Sequence, residues 1–340
     1  MSEYLDRRGQ LARSMPREEV MQVTNATRDW TTQPRVRDLP GWRNAAADCW
    51  KPGRPFDMTS RAMRKMVGPH EYMPRWEYET MMAAQLWFVG SPMCDLLDGA
   101  APGLPPTVLR RDLMPDDEGL VFFEAPLAGI DAEGSDHSVT VGAYLWGRAI
   151  WKQPTTGKTR PIVAVTIYGP SGGLLGDAFG DTSSVMMMPL GGLIWPFGES
   201  CDFVAFDGSA RDASMREDRR RLLALWLLSA QPSLTSNVMA HQSQVTSKAK
   251  AKRIAAGKVR PDPPVRVVQL RRQPQPDHDA PDRPEGGRTY RHRWTVSGHW
   301  RNQAFGPARS QRRPTYINAY LKGPDDAPLL GTERVKSWVR

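Results

Sequence analysis

Between positions 119 and 195 the chain alternates apolar runs with turns rich in Gly, Asp and Pro. The runs are 119–124 (GLVFFE), 139–146 (VTVGAYLW), 161–168 (PIVAVTIY) and 185–195. No long helix stands between them. Strands that follow one another without crossover helices pair antiparallel, because a parallel neighbour needs a long connection. The expected fold class is therefore α+β: a central, mostly antiparallel sheet with packed helices and a small basic C-terminal β unit.

The flanks read as helices. One covers 15–21. A second covers 61–67 behind the hydroxyls of Thr59 and Ser60. A third opens at Pro74 and runs to about Val89, where Gly90 and Pro92 end it. A fourth spans 212–229 and stops at Gln231-Pro232, and a fifth is expected over 236–256. The segment 265–270 (VRVVQL) reads as a short strand. The C-terminal strands are placed at 290–297, 299–304, 314–321 and 334–340. This divides the chain into a Trp-containing arm (1–55, pinned by Trp30, Trp42 and Trp50), a main α+β domain (56–272), a Pro/Asp/Arg-rich linker (273–287) and the basic β unit (288–340). That unit has too few apolar residues for its own core, so it should dock on the body.

Charge is unevenly spread. Positions 241–340 hold 21 Lys+Arg against 8 Asp+Glu, whereas positions 1–240 hold 25 against 29. All of the +9 excess sits in the last hundred residues. This pattern suggests an acidic partner, most simply nucleic acid, ahead of the alternative of a solubilising basic tail. The three cysteines, Cys49, Cys94 and Cys201, are far apart and form no CxxC pair, so neither a zinc site nor a disulfide framework is expected. The N-terminus lacks a signal-peptide core, and the longest apolar runs are too short to span a bilayer. A cytoplasmic chain with no membrane partner and no cofactor is expected.

The densest chemistry lies at 291–301 (RHRWTVSGHWR), which holds two His, three Arg and two Trp. On a continuous strand His292, Trp294 and Val296 share one face, and Arg293, Thr295 and Ser297 the other, joined by His299 and Arg301. A bulge at Gly298 would instead bring His299 round to His292. The first arrangement grips phosphates. The second suits acid/base work on a phosphodiester. A plainer alternative has one His bonded to a backbone group and the Trp residues filling core, which is the better reading of each His taken singly, whereas the cluster as a whole reads as a functional surface. Arg309, Arg312, Arg313 and Lys322 follow, interleaved with Tyr316 and Tyr320, a pattern that suits single-stranded RNA. The run Lys248, Lys250, Lys252, Arg253 and Lys258 reads as a solvated helix face. The Gly-rich segment 169–176 and the Gly157-Lys158-Thr159 step lack the phosphate-loop pattern and read as hairpin loops. Asp116, Asp117 and Glu118, and Asp131, Glu133 and Asp136, are turn acids, and no metal site is expected.

The order of these features resembles the anti-CRISPR proteins of mobile elements that are directed at type V-A CRISPR effector nucleases. The likeness rests on His292, the Arg293 step, Gly298-His299-Trp300, the hairpin glycine Gly306 with Pro307, and the strand from Thr315 to Gly323. Upstream, Leu113-Met114-Pro115-Asp116-Asp117 resembles that family's step before a Phe-rich strand. The segment 222–232 (LLALWLLSAQP) resembles its Leu/Trp helix ending in a Pro turn. The resemblance implies a regulator encoded by a phage, prophage or plasmid, acting on production of the nuclease at its message during translation. Its carry-over falls on His292, Gly298, His299 and Trp300.

Three functions stay open. The first is a mobile-element regulator with an anti-defence role, binding RNA or a ribonucleoprotein. In it Arg291, Arg293, Arg301, Arg309, Arg312, Arg313 and Lys322 hold phosphates, Trp300 and Tyr316 stack bases, and His292 and His299 shape the site. The second is a metal-independent ribonuclease using His292 and His299 as acid and base, with Arg301 stabilising the transition state. The third is a module that docks an acidic protein, such as a component of a bacterial defence system.

Overall fold

The computed structural model describes residues 36, 39–50, 73–127, 141–153, 157–170, 187–204, 210–240, 252, 255–256, 263–271, 291–324 and 327–329. The helices expected at 15–21 and 61–67, the 273–287 linker, the strand at 334–340, the acids 131–136 and most of the 248–258 basic run lie outside them, with Lys252 exposed.

The chain is α+β. Helices α1 (Leu39–Trp50) and α2 (Met73–Ala83) precede strand β1 (Gln85–Val89) and helix α3 (Ser91–Ala100). Strands β2 (Gly119–Leu127), β3 (Val141–Lys152), β4 (Thr159–Pro170) and β5 (Met187–Pro196) follow. Then come helix α4 (Ala210–Ser229), β6 (Thr235–Ala240) and β7 (Val265–Leu270). These seven strands form one sheet in the order β5-β4-β3-β2-β1-β7-β6. The meander β2 to β5 is antiparallel, as its short turn-rich connections dictate. The Gly157 turn closes the β3–β4 hairpin, with its N–H on the Gln153 carbonyl at 2.8 Å.

Three local expectations are corrected. The helix expected over 74–89 ends at Ala83, and its second half is β1, paired parallel to both β2 and β7. Leu86, Trp87, Phe88 and Val89 are all buried because both sheet faces are covered. Such a strand is a continuous apolar run, which periodicity alone does not separate from a helix. Gly90 and Pro92 do not simply terminate structure. Pro92 sits in the first turn of α3, where a missing N–H costs nothing. Glu124 of β2 accepts from the Ser91 N–H at 2.7 Å and the Ser91 hydroxyl at 2.9 Å. The helix expected over 236–256 begins instead as strand β6, antiparallel to β7. The Thr235 hydroxyl donates toward the Leu228 and Ser229 carbonyls at the end of α4 (3.1 and 3.2 Å), turning the chain out of the helix.

Side chains alternate across the sheet into two cores. One face packs Leu86, Phe88, Leu120, Phe122 and Leu145 against α1 and α2 through Leu39, Ala47 and Met81. The other packs Trp87, Val121, Phe123, Tyr144, Trp146 and Trp195 against α3 and α4. Every residue from Leu222 to Leu228 of α4 is buried there. Trp226 sits edge-on to Trp146 at 5.7 Å between centroids and stacks on Trp195 at 6.4 Å. Large rings of this kind dominate core burial, and this second face is the one that receives the C-terminal unit.

Candidate nucleic-acid interface

The C-terminal unit is a two-stranded ribbon in two arms. Strand β8 (Trp294–Val296) pairs antiparallel with β11 (Tyr320–Lys322), and β9 (His299–Phe305) with β10 (Gln311–Ile317). His299 faces Ile317, and Val296 faces Tyr320, so the register is the same on both sides of a two-residue gap in each strand. The gap is Ser297-Gly298 on one strand and Asn318-Ala319 on the other. The segment 291–301 is thus neither one regular strand nor a strand with a single bulge. It crosses from one arm to the next at Gly298. A Cβ on Gly298 would lie 2.1 Å from the Tyr316 hydroxyl oxygen, so only glycine lets Tyr316 close over the break.

Trp300 fastens the ribbon to the body. Its indole N–H donates to the Ala100 carbonyl at the end of α3 at 2.8 Å. Its ring meets Tyr316 edge-on at 5.3 Å, and both rings pack against the α3/α4 core. Arg220 of α4 braces the receiving turn. It makes two hydrogen bonds to Asp202, at 2.7 and 2.9 Å, and donates to the Pro102 and Leu104 carbonyls at 2.9 Å each. That donation holds the Asp202 carboxyl below the usual carboxylate range. Sequence reasoning missed Arg220 and the 100–104 turn, because Trp300 reaches the turn across 200 positions and Arg220 reaches it across more than a hundred.

Opposed residues of an antiparallel pair point to the same side. Trp300, Asn302 and Ala304 therefore share the docked side with Tyr316, Pro314 and Arg312, and Pro314 is buried. The outward side carries His299, Arg301, Gln303 and Phe305 with Ile317, Thr315, Arg313 and Gln311. The fold thus brings His299, Arg301 and Arg313 onto one face. Arg312 is exposed on the other side, and Arg309 is exposed at the hairpin tip. Arg309 has φ 55 and Ala308 φ 50. Left-handed backbone at residues other than glycine costs about 1–2 kcal/mol each.

The remaining candidates are spread out. Arg291 and His292 are exposed ahead of β8. Arg293 is half-buried, with its side-chain Nε donating to the Ala327 carbonyl at 3.0 Å. Lys322 lies over the Trp294 ring, 5.9 Å from its centroid. His299 Nδ1 is 3.0 Å from the Ser297 carbonyl oxygen. His292 lies outside the strands, beyond the break from His299. Tyr316 is half-buried, and burial raises its phenol above the ordinary value.

Electrostatics separate ribbon from body. In the body, Arg110, Arg111, Arg148, Arg160, Arg220, Arg221 and Arg266 each face a carboxylate. Asp116 is one of these partners: it accepts the Trp87 indole N–H at 2.9 Å beneath Arg266, and burial raises its carboxyl. The turn acids Asp116 and Asp117 are thus ion-pair partners. The ribbon is different, since positions 291–324 hold seven Lys+Arg and no Asp or Glu. Among the described residues, Arg301, Arg309 and Arg312 make no ion pair. Arg313 feels Asp112, whose carboxyl is lowered first by Arg110. Among the described residues no group of His, Cys, Asp and Glu is placed to hold a metal ion, and no helix is long and apolar enough to cross a membrane.

No family model and no curated protein matches the chain. Among solved structures it is similar to the crystal structure of AcrVA2, at 12% identity and a TM-score of 0.39, over 89% of this chain and 94% of that one. At that score the likeness shows neither a common family nor a common activity.

Proposed function

We propose that this chain is a nucleic-acid-associated regulator that binds RNA, or an RNA-containing translation complex, through the ribbon at 291–324. The observation that carries the reading is the segregation of charge. Seven arginines of the body face carboxylates, whereas the ribbon presents Arg301, Arg309 and Arg312 without a carboxylate partner among the described residues. Unneutralised cations on an extended hairpin fit a phosphate backbone, with affinity from counterion release. His299, Arg301 and Arg313 on one face supply donors along one line of phosphates.

The biological setting, an anti-defence role on a phage, prophage or plasmid, is supported by the resemblance carried by His292, Gly298, His299 and Trp300. Gly298 and Trp300 serve the ribbon's shape and anchorage, so that motif marks how the ribbon is mounted. The test is binding of the full chain to a labelled single-stranded RNA in EDTA at two salt concentrations. The reading expects binding that weakens steeply with salt and leaves the RNA intact. Absence of binding at low salt would overturn it and favour an acidic protein partner.

A further inference from the structure

We infer that the outer arm of the ribbon, β8 with β11, is a base-stacking element for single-stranded nucleic acid, with Tyr320 as its ring. This rests on the phosphate-binding reading of the inner arm and extends it. The sequence assigns stacking to Trp300 and Tyr316. Both rings are turned onto the body, packed on each other and on the α3/α4 core, and the Trp300 N–H is bonded to Ala100. A base cannot reach the faces of rings committed in that way without undocking the ribbon.

Beyond the break at Gly298 the ribbon leaves the body. Tyr320 and Leu321 are neighbours on β11 and point to opposite sides, yet they are 45% and 47% exposed. Both sides of β11 are thus open at these positions, while Trp294 and Val296 of β8 are half-buried. Leu329, 52% exposed, lies beside the arm through the bridge to Arg293. Tyr320 faces Val296, and Lys322 faces Trp294, so these four side chains share one side of the arm. On that side the Lys322 ammonium lies 5.9 Å from the centroid of the Trp294 ring.

The occupant follows from charge. The arm carries Arg291, Arg293 and Lys322, and the sequence holds no acid between 291 and 324, with Asp325 and Asp326 following. A ring flanked by cations suits an unpaired base with its phosphates, the pattern by which single strands are bound without sequence preference. In a duplex the base faces are already stacked, so it would engage only the arginines of the inner arm.

The experiment uses the full chain, a labelled twelve-nucleotide single-stranded RNA of mixed sequence and the same strand annealed to its complement. Tyr320→Ala should weaken single-strand binding about tenfold, within the range for loss of one stacking ring, and leave duplex binding unchanged. Tyr320→Phe should retain both. Arg301→Ala should weaken both probes alike. If Tyr320→Ala binds the single strand as the wild type does, or loses both probes equally, the inference fails while the phosphate-binding reading stands. If the wild type binds neither probe, both fail. Tyr320 is exposed, so unfolding should not confound the variant, and circular dichroism checks this.

Discussion

The indole N–H of Trp300 donates to the carbonyl oxygen of Ala100 across 2.8 Å, joining the C-terminal ribbon to the end of α3. A residue that reads in the sequence as a base-stacking ring is therefore the ribbon's anchor. Its position decides which parts of 291–324 face solvent and which face the body.

If Trp300 is the anchor, Trp300→Phe should cost about 1 kcal/mol, for one hydrogen bond to a partly buried carbonyl. Trp300→Ala should cost about 2–3 kcal/mol, since packing is lost as well. Denaturant unfolding gives the totals. Proteolysis should cut the alanine variant first within 291–324. Equal stability of the wild type and both variants would remove Trp300 from that role.

The contact between Gly298 and Tyr316 makes a second prediction. Gly298→Ala should destabilise by about 1–3 kcal/mol, because a methyl group is forced against a ring. In a Tyr316→Ala background the same change should be nearly neutral, since the group at 2.1 Å is gone. A double-mutant cycle should show coupling on the order of 1 kcal/mol or more. Strict additivity would mean that Gly298 matters for another reason.

Burial governs a third group. Asp218 of α4 accepts the Tyr144 hydroxyl at 2.7 Å, with Arg221 at 3.7 Å, and desolvation raises its carboxyl from 3.8 to about 6. A carboxyl raised in the folded state binds its proton more tightly there than in the unfolded chain. Its contribution to stability is therefore greatest below about pH 4 and is lost as pH rises toward 6. The loss is on the order of 3 kcal/mol at most. Asp218→Asn should flatten the fall in stability between pH 4 and pH 6 relative to the wild type. Parallel stability–pH curves would contradict the shift.

Much of the fold was legible in the sequence. The four strands between 119 and 195 lie where apolar runs and turn residues put them, and their antiparallel pairing follows from short connections. The misreadings have specific causes. Strand β1 is apolar on both faces and carries no period-2 signal. Strand β6 is a polar edge strand, and its start depends on the Thr235 hydroxyl at the end of α4, a tertiary contact. The 291–301 cluster was visible as chemistry, but its division at Gly298 was not. Parity arguments assume one sheet, and here the sheet ends where Tyr316 crosses over Gly298. Nothing local distinguishes Tyr316, packed on the body, from Tyr320, in solvent four residues later.

In the proposed function, the ribbon arginines that make no ion pair among the described residues hold a phosphate backbone. The most direct test is the dependence of single-stranded RNA affinity on salt, for the wild type and for Arg301→Ala combined with Arg309→Ala and Arg312→Ala. Each phosphate contact on a single strand contributes a slope of about −0.7 in log K against log salt. The wild-type slope should lie between about −2 and −3 and fall in magnitude by about 2 in the triple variant. A slope near zero in the wild type, or the same slope in both proteins, would contradict it.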